Sequence, residues 1–222
     1  MTLLAELAHE LVEGHADAVA RLTQQALDQH IPPAEILEKG LIAGMEVVGA
    51  RFRDNVYFVP EVLLAARAMK AGMTHLEPVL AARGVAPRGK LLIGTVKGDI
   101  HDIGKNLVGM MLRGAGFEVV DLGINVPAEQ FLVAIRKHDP ELVGMSALLT
   151  TTMAQMKTNV EAFRAAGVLS RARVLVGGAA VSEDFARTIG AHGCAKDATS
   201  AVERARELLE EVKAMREANF SD

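Results

Sequence analysis

The stretch Leu91-Leu-Ile-Gly-Thr-Val96, then Lys97, then Gly98-Asp-Ile-His-Asp-Ile-Gly104 decides how the second half of this chain folds. Six uncharged residues rich in branched side chains read as a buried strand, and the polar, glycine-bounded loop behind it leads into a helix over about Lys105–Gly114. The same alternation then repeats. Strands are expected at Phe117–Asp121, Leu142–Ser146 and Arg173–Gly177, with a weak last one near Gly193–Ala195. Helices are expected over about Ala128–Lys137 and Met153–Ala165, from about Glu183, and in a closing charged segment that ends near Arg216. Apolar strands alternating with helices imply a parallel sheet covered on both faces. Five such units suggest the flavodoxin-like, Rossmann-like strand order 2-1-3-4-5. In that order a ligand binds beyond the carboxyl ends of the strands, near the switch between strands one and three.

Upstream, the apolar period changes from that of strands to that of helices. Leu4, Leu7, Ala8 and Leu11 share one helical face; Val19, Leu22, Ala26 and Leu27 share another, after Gly14. Pro32-Pro33 closes the second helix and opens a third over about Ala34–Ala50, and Pro60 opens a fourth that carries Leu63, Leu64, Met69 and Met73. Four short helices with brief links predict an antiparallel bundle over residues 1–87. The segment Ala82-Arg-Gly-Val-Ala-Pro-Arg-Gly89 reads as a linker and hinge, and the α/β domain occupies 88–222. Phe52, Tyr57 and Phe58 cluster between helices three and four with Val59 and Val62 behind them; they read as ordinary core or as an apolar pad at one end of the bundle.

Composition narrows the function classes. Half of the 222 residues are hydrophobic and 23% are charged, the balance of a folded soluble protein. Residues 1–87 hold 7 Lys/Arg against 11 Asp/Glu, while 88–222 hold 17 of each, so neither half offers a basic face to nucleic acid. No apolar run is long enough to cross a bilayer, and Glu6, Glu10 and Glu13 stand where a signal peptide carries Lys or Arg, so a cytoplasmic location is expected. Cys194 is the single cysteine, which excludes an internal disulfide and an all-cysteine metal site.

Three segments converge on the expected ligand edge: Gly98–Gly104 after strand one, Ser146-Ala-Leu148 through Thr150-Thr-Thr152 after strand three, and Gly177-Gly178 after strand four. Gly94-Thr-Val-Lys-Gly-Asp lacks the dinucleotide fingerprint, and Gly104-Lys-Asn lacks the last residue of a phosphate loop. Ser146 as a nucleophile lacks the glycines of a nucleophile elbow. There remains a histidine with an acid two positions earlier. Alternate residues of an extended segment point the same way, so Asp99 can accept from one ring nitrogen of His101 and aim the other outward. The pair reads either as a plain loop hydrogen bond or as a metal ligand with its orienting carboxylate. Asp102 is the one neighbouring acid and the other six histidines are scattered, so a metal bound here would bring its own macrocycle.

Asp99-x-His101-x-x-Gly104, then 41 residues, Ser146-x-Leu148, then 28 residues, Gly177-Gly178 resembles the cobalamin-binding signature of methionine synthase and the corrinoid methyl-carrier proteins. The helical half resembles the cap that precedes this domain in the methyl-transferring members. The resemblance implies cobalamin bound with its own base detached from cobalt, His101 as the lower axial ligand, Asp99 as the partner of that histidine, and Thr152 completing the triad. It implies that Gly98, Asp102, Ile103, Gly104, Ser146, Leu148, Thr150, Gly177 and Gly178 surround the cofactor, with the glycines lining a slot for its nucleotide tail. Phe52, Val59 and Val62 match apolar cap positions over the cobalt-bound methyl group.

The function so implied is a carrier that takes a methyl group from a substrate-specific methyltransferase, as for methanol, methylamines, glycine betaine or methoxyaromatics, to a tetrahydrofolate- or thiol-dependent acceptor methyltransferase. A reductive activase is the third expected partner; nucleic acid and membrane are not. Binding and release of His101 would be coupled to proton movement through Asp99 and Thr152. Such a carrier is not catalytic by itself. A cobalamin-dependent sensor would need an output module, and the cobalamin subunit of a mutase would not need an attached helical cap. Lys105 and Asn106 continue the signature without an assigned role, Thr150–Thr152 also read as a helix cap, Cys194 as a small buried residue, and Met110 and Met111 as core.

Overall fold

A computed structural model describes residues 1–219. By contact the chain divides into two compact units, Met1–Pro87 with Arg113–Gly116, and Arg88–Leu112 with the chain from Phe117 onward.

The first unit is helical. Helix α1 (Leu3–Val12) is capped by the Thr2 hydroxyl, which accepts from Ala5 N–H at 3.3 Å, and it buries Leu7 and Leu11, four residues apart. Gly14, at φ 77°, turns the chain into α2 (Ala16–Asp28); a Cβ there would lie 2.7 Å from Leu64 Cβ, so the turn requires glycine twice over. The expected third helix is a composite. It runs as α3 (Pro33–Glu35), a π-helical segment (Ile36–Ile42) and α4 (Ala43–Arg53) without a break. A period of 3.6 cannot register the wider turn, because burial at Ile36, Leu41, Met45 and Val48 keeps the same stripe on either side. Helix α5 (Val59–Ala82) has Pro60 in its first turn, and Glu61 Oε2 accepts from Phe58 N–H at 2.9 Å.

The second unit is the expected α/β domain. Its strands are β1 (Lys90–Thr95), β2 (Glu118–Asp121), β3 (Leu142–Ser146), β4 (Arg173–Gly177) and β5 (Gly193–Ala195). All neighbours are parallel in the order β2-β1-β3-β4-β5. Helices α6 (Ile103–Gly114), α7 (Ala128–His138), α8 (Thr150–Ala165), α9 (Glu183–Ile189) and α10 (Ala198–Asn219) connect and cover them. Leu92, Val143, Val174 and Val176 are buried in the sheet, and Phe131 of α7 meets Phe163 of α8 edge-on, with ring centroids 5.9 Å apart. The register sets the site. Thr95 pairs with Ser146, Ser146 with Gly177 and Gly177 with Ala195, so four strands end in one row.

Candidate functional site

Loops leaving that row meet at Asp99, whose side chain is fully buried. Its Oδ1 accepts from the backbone N–H of His101 at 3.0 Å and faces His101 Nδ1 at 2.7 Å. Its Oδ2 accepts from the Thr152 hydroxyl at 2.6 Å and from Leu148 N–H at 2.8 Å. Burial by itself would raise the pKa of this carboxyl. The hydrogen bonds from Thr152, from the backbone and ring of His101 and from Leu148 outweigh it and hold the group ionised, well below the usual carboxylate range. An anion at Oδ1 makes Nδ1 the protonated ring nitrogen, an assignment that rests on the hydrogen-bond network. Nε2 then carries the lone pair. The imidazole is 47% exposed, and Nε2 has no hydrogen-bond partner among the described residues. A carboxylate behind one nitrogen raises the basicity of the other, as at metal-binding histidines.

The remaining expected residues divide by what they touch. Gly98 turns with φ 81°. Asp102 opens α6: its carbonyl accepts from Asn106 N–H at 2.7 Å and its Oδ2 from Asn106 Nδ2 at 3.0 Å. Ser146 lies half-buried in the row of strand ends, and Thr150 is exposed at the start of α8. The two glycines at the end of β4 answer to the protein itself. A Cβ on Gly177 would lie 2.9 Å from the Ala195 carbonyl oxygen, and one on Gly178, at φ 130°, 1.9 Å from that of Ala147. Gly104 is different, since a Cβ there meets nothing within 4 Å. In the helical unit Phe52 is half-buried, Val59 is 37% exposed and Val62 is fully buried in the bundle core. Tyr57 is clasped there: its hydroxyl accepts from Arg51 Nη1 at 2.5 Å and donates to the Val12 carbonyl at 3.2 Å.

Sequence reasoning missed an apolar collar and its supports. Ile100, Ile124 and Leu149, on loops near Asp99, are exposed alongside the expected Leu148 and Ile103, the latter at the start of α6. A run of isoleucine and leucine in loops at strand ends is the signal that would have found them. Asn125 and the buried Lys105 were missed as well; both bond to the histidine loop or its flank. Thr199, in the first turn of α10 beyond β5, buries a hydroxyl with no hydrogen-bond partner among the described residues. Cys194 is half-buried, and burial, with Glu183 nearby, raises its thiol above the ordinary range. Among the described residues no group of three or more His, Cys, Asp or Glu is gathered to hold a metal ion, and no helix is long and apolar enough to cross a membrane.

The site is thus an imidazole with an open nitrogen, set in an apolar collar at the switch between β1 and β3. The profile of the B12 binding domain matches residues 89–206, and a second B12 binding domain profile matches residues 3–77.

The chain belongs to the B12-binding family.

It is 41% identical over 212 residues to a corrinoid protein of Desulfitobacterium hafniense, covering 94% of this chain and 98% of that one. It is 40% identical over 208 residues to the dimethylamine corrinoid protein of Methanosarcina barkeri, covering 93% and 97%. Among solved structures, the methanol:cobalamin methyltransferase complex of Methanosarcina barkeri superposes with a TM-score of 0.84 at 32% identity, over 94% of this chain and 80% of that one. A cobalamin-binding protein from Desulfitobacterium hafniense superposes with a TM-score of 0.77 at 29% identity, over 94% and 98%. The residues present suit a cobalamin. Among the described residues an imidazole nitrogen has no partner and is free for cobalt, the space at Gly104 is open, and the buried Thr199 hydroxyl lacks a partner on the same carboxyl edge of this B12-binding sheet.

Proposed function

We propose that this chain carries a methyl group on the cobalt of a bound corrinoid between two methyltransferases, with His101 as the protein's ligand to the metal in place of the cofactor's own base. The observation that carries the reading is the imidazole at the end of β1, held at Nδ1 by a buried, ionised Asp99 and open at Nε2. Kinship over nearly the whole chain with a dimethylamine corrinoid protein, and with a chain of a methanol:cobalamin methyltransferase complex, supports the carrier role.

When bound, the corrin's cobalt supplies a nucleophile strong enough to take a methyl group from a donor and pass it to an acceptor. The chain's own residues prepare for this. Nε2 of His101 offers a lone pair, and Asp99 fixes the tautomer by accepting the Nδ1 proton. Thr152 keeps Asp99 anionic by donating to Oδ2. Gly98, Gly104, Ser146, Leu148, Thr150, Gly177 and Gly178 line the cofactor, with Asp102 and Ile103 at the foot of α6. Phe52 and Val59 supply the apolar cap from the helical unit, and Val62, expected with them, is fully buried and offers no surface of its own. The partners are a substrate-specific methyltransferase, an acceptor methyltransferase and a reductive activase.

The test is electron paramagnetic resonance of the cobalt(II) holoprotein grown with 15N-histidine. A histidine ligand converts the nitrogen splitting on cobalt from the triplet of 14N to the doublet of 15N, and His101→Ala loses the doublet. A triplet that persists under 15N-histidine labelling overturns the ligand assignment.

A further inference from the structure

Thr152, Leu148 and Leu149 hold Asp99 through its carboxylate. The Thr95 hydroxyl at the end of β1 donates to the His101 carbonyl at 3.0 Å, and the rest of the loop is fastened from the other side of β1, by the connection between β2 and α7. The connection continues alongside β1: Leu122 N–H donates to the Ile93 carbonyl at 2.8 Å, Thr95 N–H to that of Gly123 at 3.0 Å, and Val126 N–H to that of Thr95 at 2.9 Å. From this footing it grips the histidine loop at both ends.

At the start of the loop Asn125 makes two bonds. Its side-chain Oδ1 accepts from Gly98 N–H at 2.7 Å, and its backbone N–H donates to the Asp99 carbonyl at 3.0 Å. Asn125 sits at φ 54°, a left-handed conformation that asparagine tolerates better than most residues. At the end of the loop the link is ionic. Lys105 Nζ reaches Asp121 Oδ2 at 2.5 Å and Asn106 Oδ1 at 2.7 Å, and Asn106 holds both the carbonyl and the carboxylate of Asp102. Asp121 Oδ1 in turn accepts from Gly123 N–H at 2.8 Å.

Lys105 is only 3% exposed. Desolvating an ammonium is expensive enough that an ion pair of this kind adds little net stability over an apolar side chain of the same shape. What a directional ion pair with a buried ammonium does supply is a fixed distance between two backbone segments. A half-exposed imidazole on the Gly98–Asp102 loop needs such fixing, because a ligand must be held within about 0.5 Å of its working position.

We propose that Asn125 and Lys105 are positioning residues for His101, clamping the Gly98–Asp102 loop to the β2–α7 connection so that the imidazole is set for cobalt before the cofactor arrives. This rests on His101 being the cobalt ligand. Three variants test it: Asn125→Gly, which keeps the left-handed turn and loses the acceptor; Asn125→Asp, which keeps both; and Lys105→Met, which keeps the stem and loses the charge. The readouts are hydrogen exchange of the Gly98–Asp102 amides in the unloaded protein, cobalamin affinity, and the 15N-histidine doublet in the cobalt(II) spectrum.

Asn125→Gly and Lys105→Met are expected to speed exchange in this loop and to weaken cobalamin binding by about ten- to a hundredfold, the usual cost of losing a group that orients a metal ligand. Both should shrink the doublet, and Asn125→Asp should restore it. Should Lys105→Met fail to fold, Asn125→Gly decides, since its side chain is on the surface. Unchanged loop exchange and unchanged affinity in Asn125→Gly would overturn the clamp. A wild-type protein without the doublet would instead overturn the ligand reading, while loop exchange would still report on the clamp.

Discussion

Asp99 organises this site more than the histidine it serves. One fully buried carboxylate gathers a hydroxyl, a ring N–H and three backbone N–H groups, Leu149 being the most distant at 3.4 Å. Removing one charge-assisted partner from such a group costs about 1.5–3 kcal/mol. Thr152→Val is therefore expected to lower the unfolding free energy by about that amount in urea titrations. Thr152→Ser, which keeps the hydroxyl, should stay near wild type; a loss in Thr152→Ser with none in Thr152→Val would show that the methyl group matters and the hydrogen bond does not. The pairing of Asp99 with His101 was legible in the sequence because both lie on one short extended segment, two residues apart. Asn125 and Lys105 were not, because their partners lie 27 and 16 residues away and only the paired strands bring them together.

At the level of elements, the glycines that punctuate the strand ends do two different jobs. Gly177 and Gly178 let the chain leaving β4 pass against the carbonyls of Ala195 and Ala147, an approach that no side chain permits. Gly178→Ala must push that loop from β3, at a cost of at least about 2 kcal/mol given the backbone strain alone. Gly104 opens α6 into free space, and alanine is the better helix former by up to about 1 kcal/mol. Gly104→Ala should hold or raise the thermal midpoint while weakening cobalamin binding. Undiminished binding would mean that the space beside Gly104 is not the cofactor's. All three glycines were visible in the sequence as punctuation, but which of them face protein and which faces open space depends on chain segments that periodicity does not relate. The π-helical segment Ile36–Ile42 escaped for a similar reason, since one widened turn leaves the apolar stripe of Ile36, Leu41, Met45 and Val48 intact.

Over the whole molecule, a ligand that binds only the folded state must stabilise it. Cobalamin at a hundred times its dissociation constant should add about 2.7 kcal/mol to the unfolding free energy, seen as a urea midpoint that climbs with cofactor concentration. His101→Ala should need more cofactor for the same gain, and a midpoint indifferent to cobalamin would contradict specific binding. The alternation of apolar strands with helices, the switch to a helical period before residue 88, the order 2-1-3-4-5 and the Asp99–His101 pair were all readable in one dimension. Each depends on residues a few positions apart, or on rules of connection that hold for any chain of this pattern. Tertiary structure alone decided that Leu148 N–H, the Thr152 hydroxyl and the Asn125 clasp converge on one loop, and that Thr95, Ser146, Gly177 and Ala195 align in one row. Strand register comes from packing summed over the entire core, and hydrogen bonds between distant segments form only once that sum has set where each strand ends.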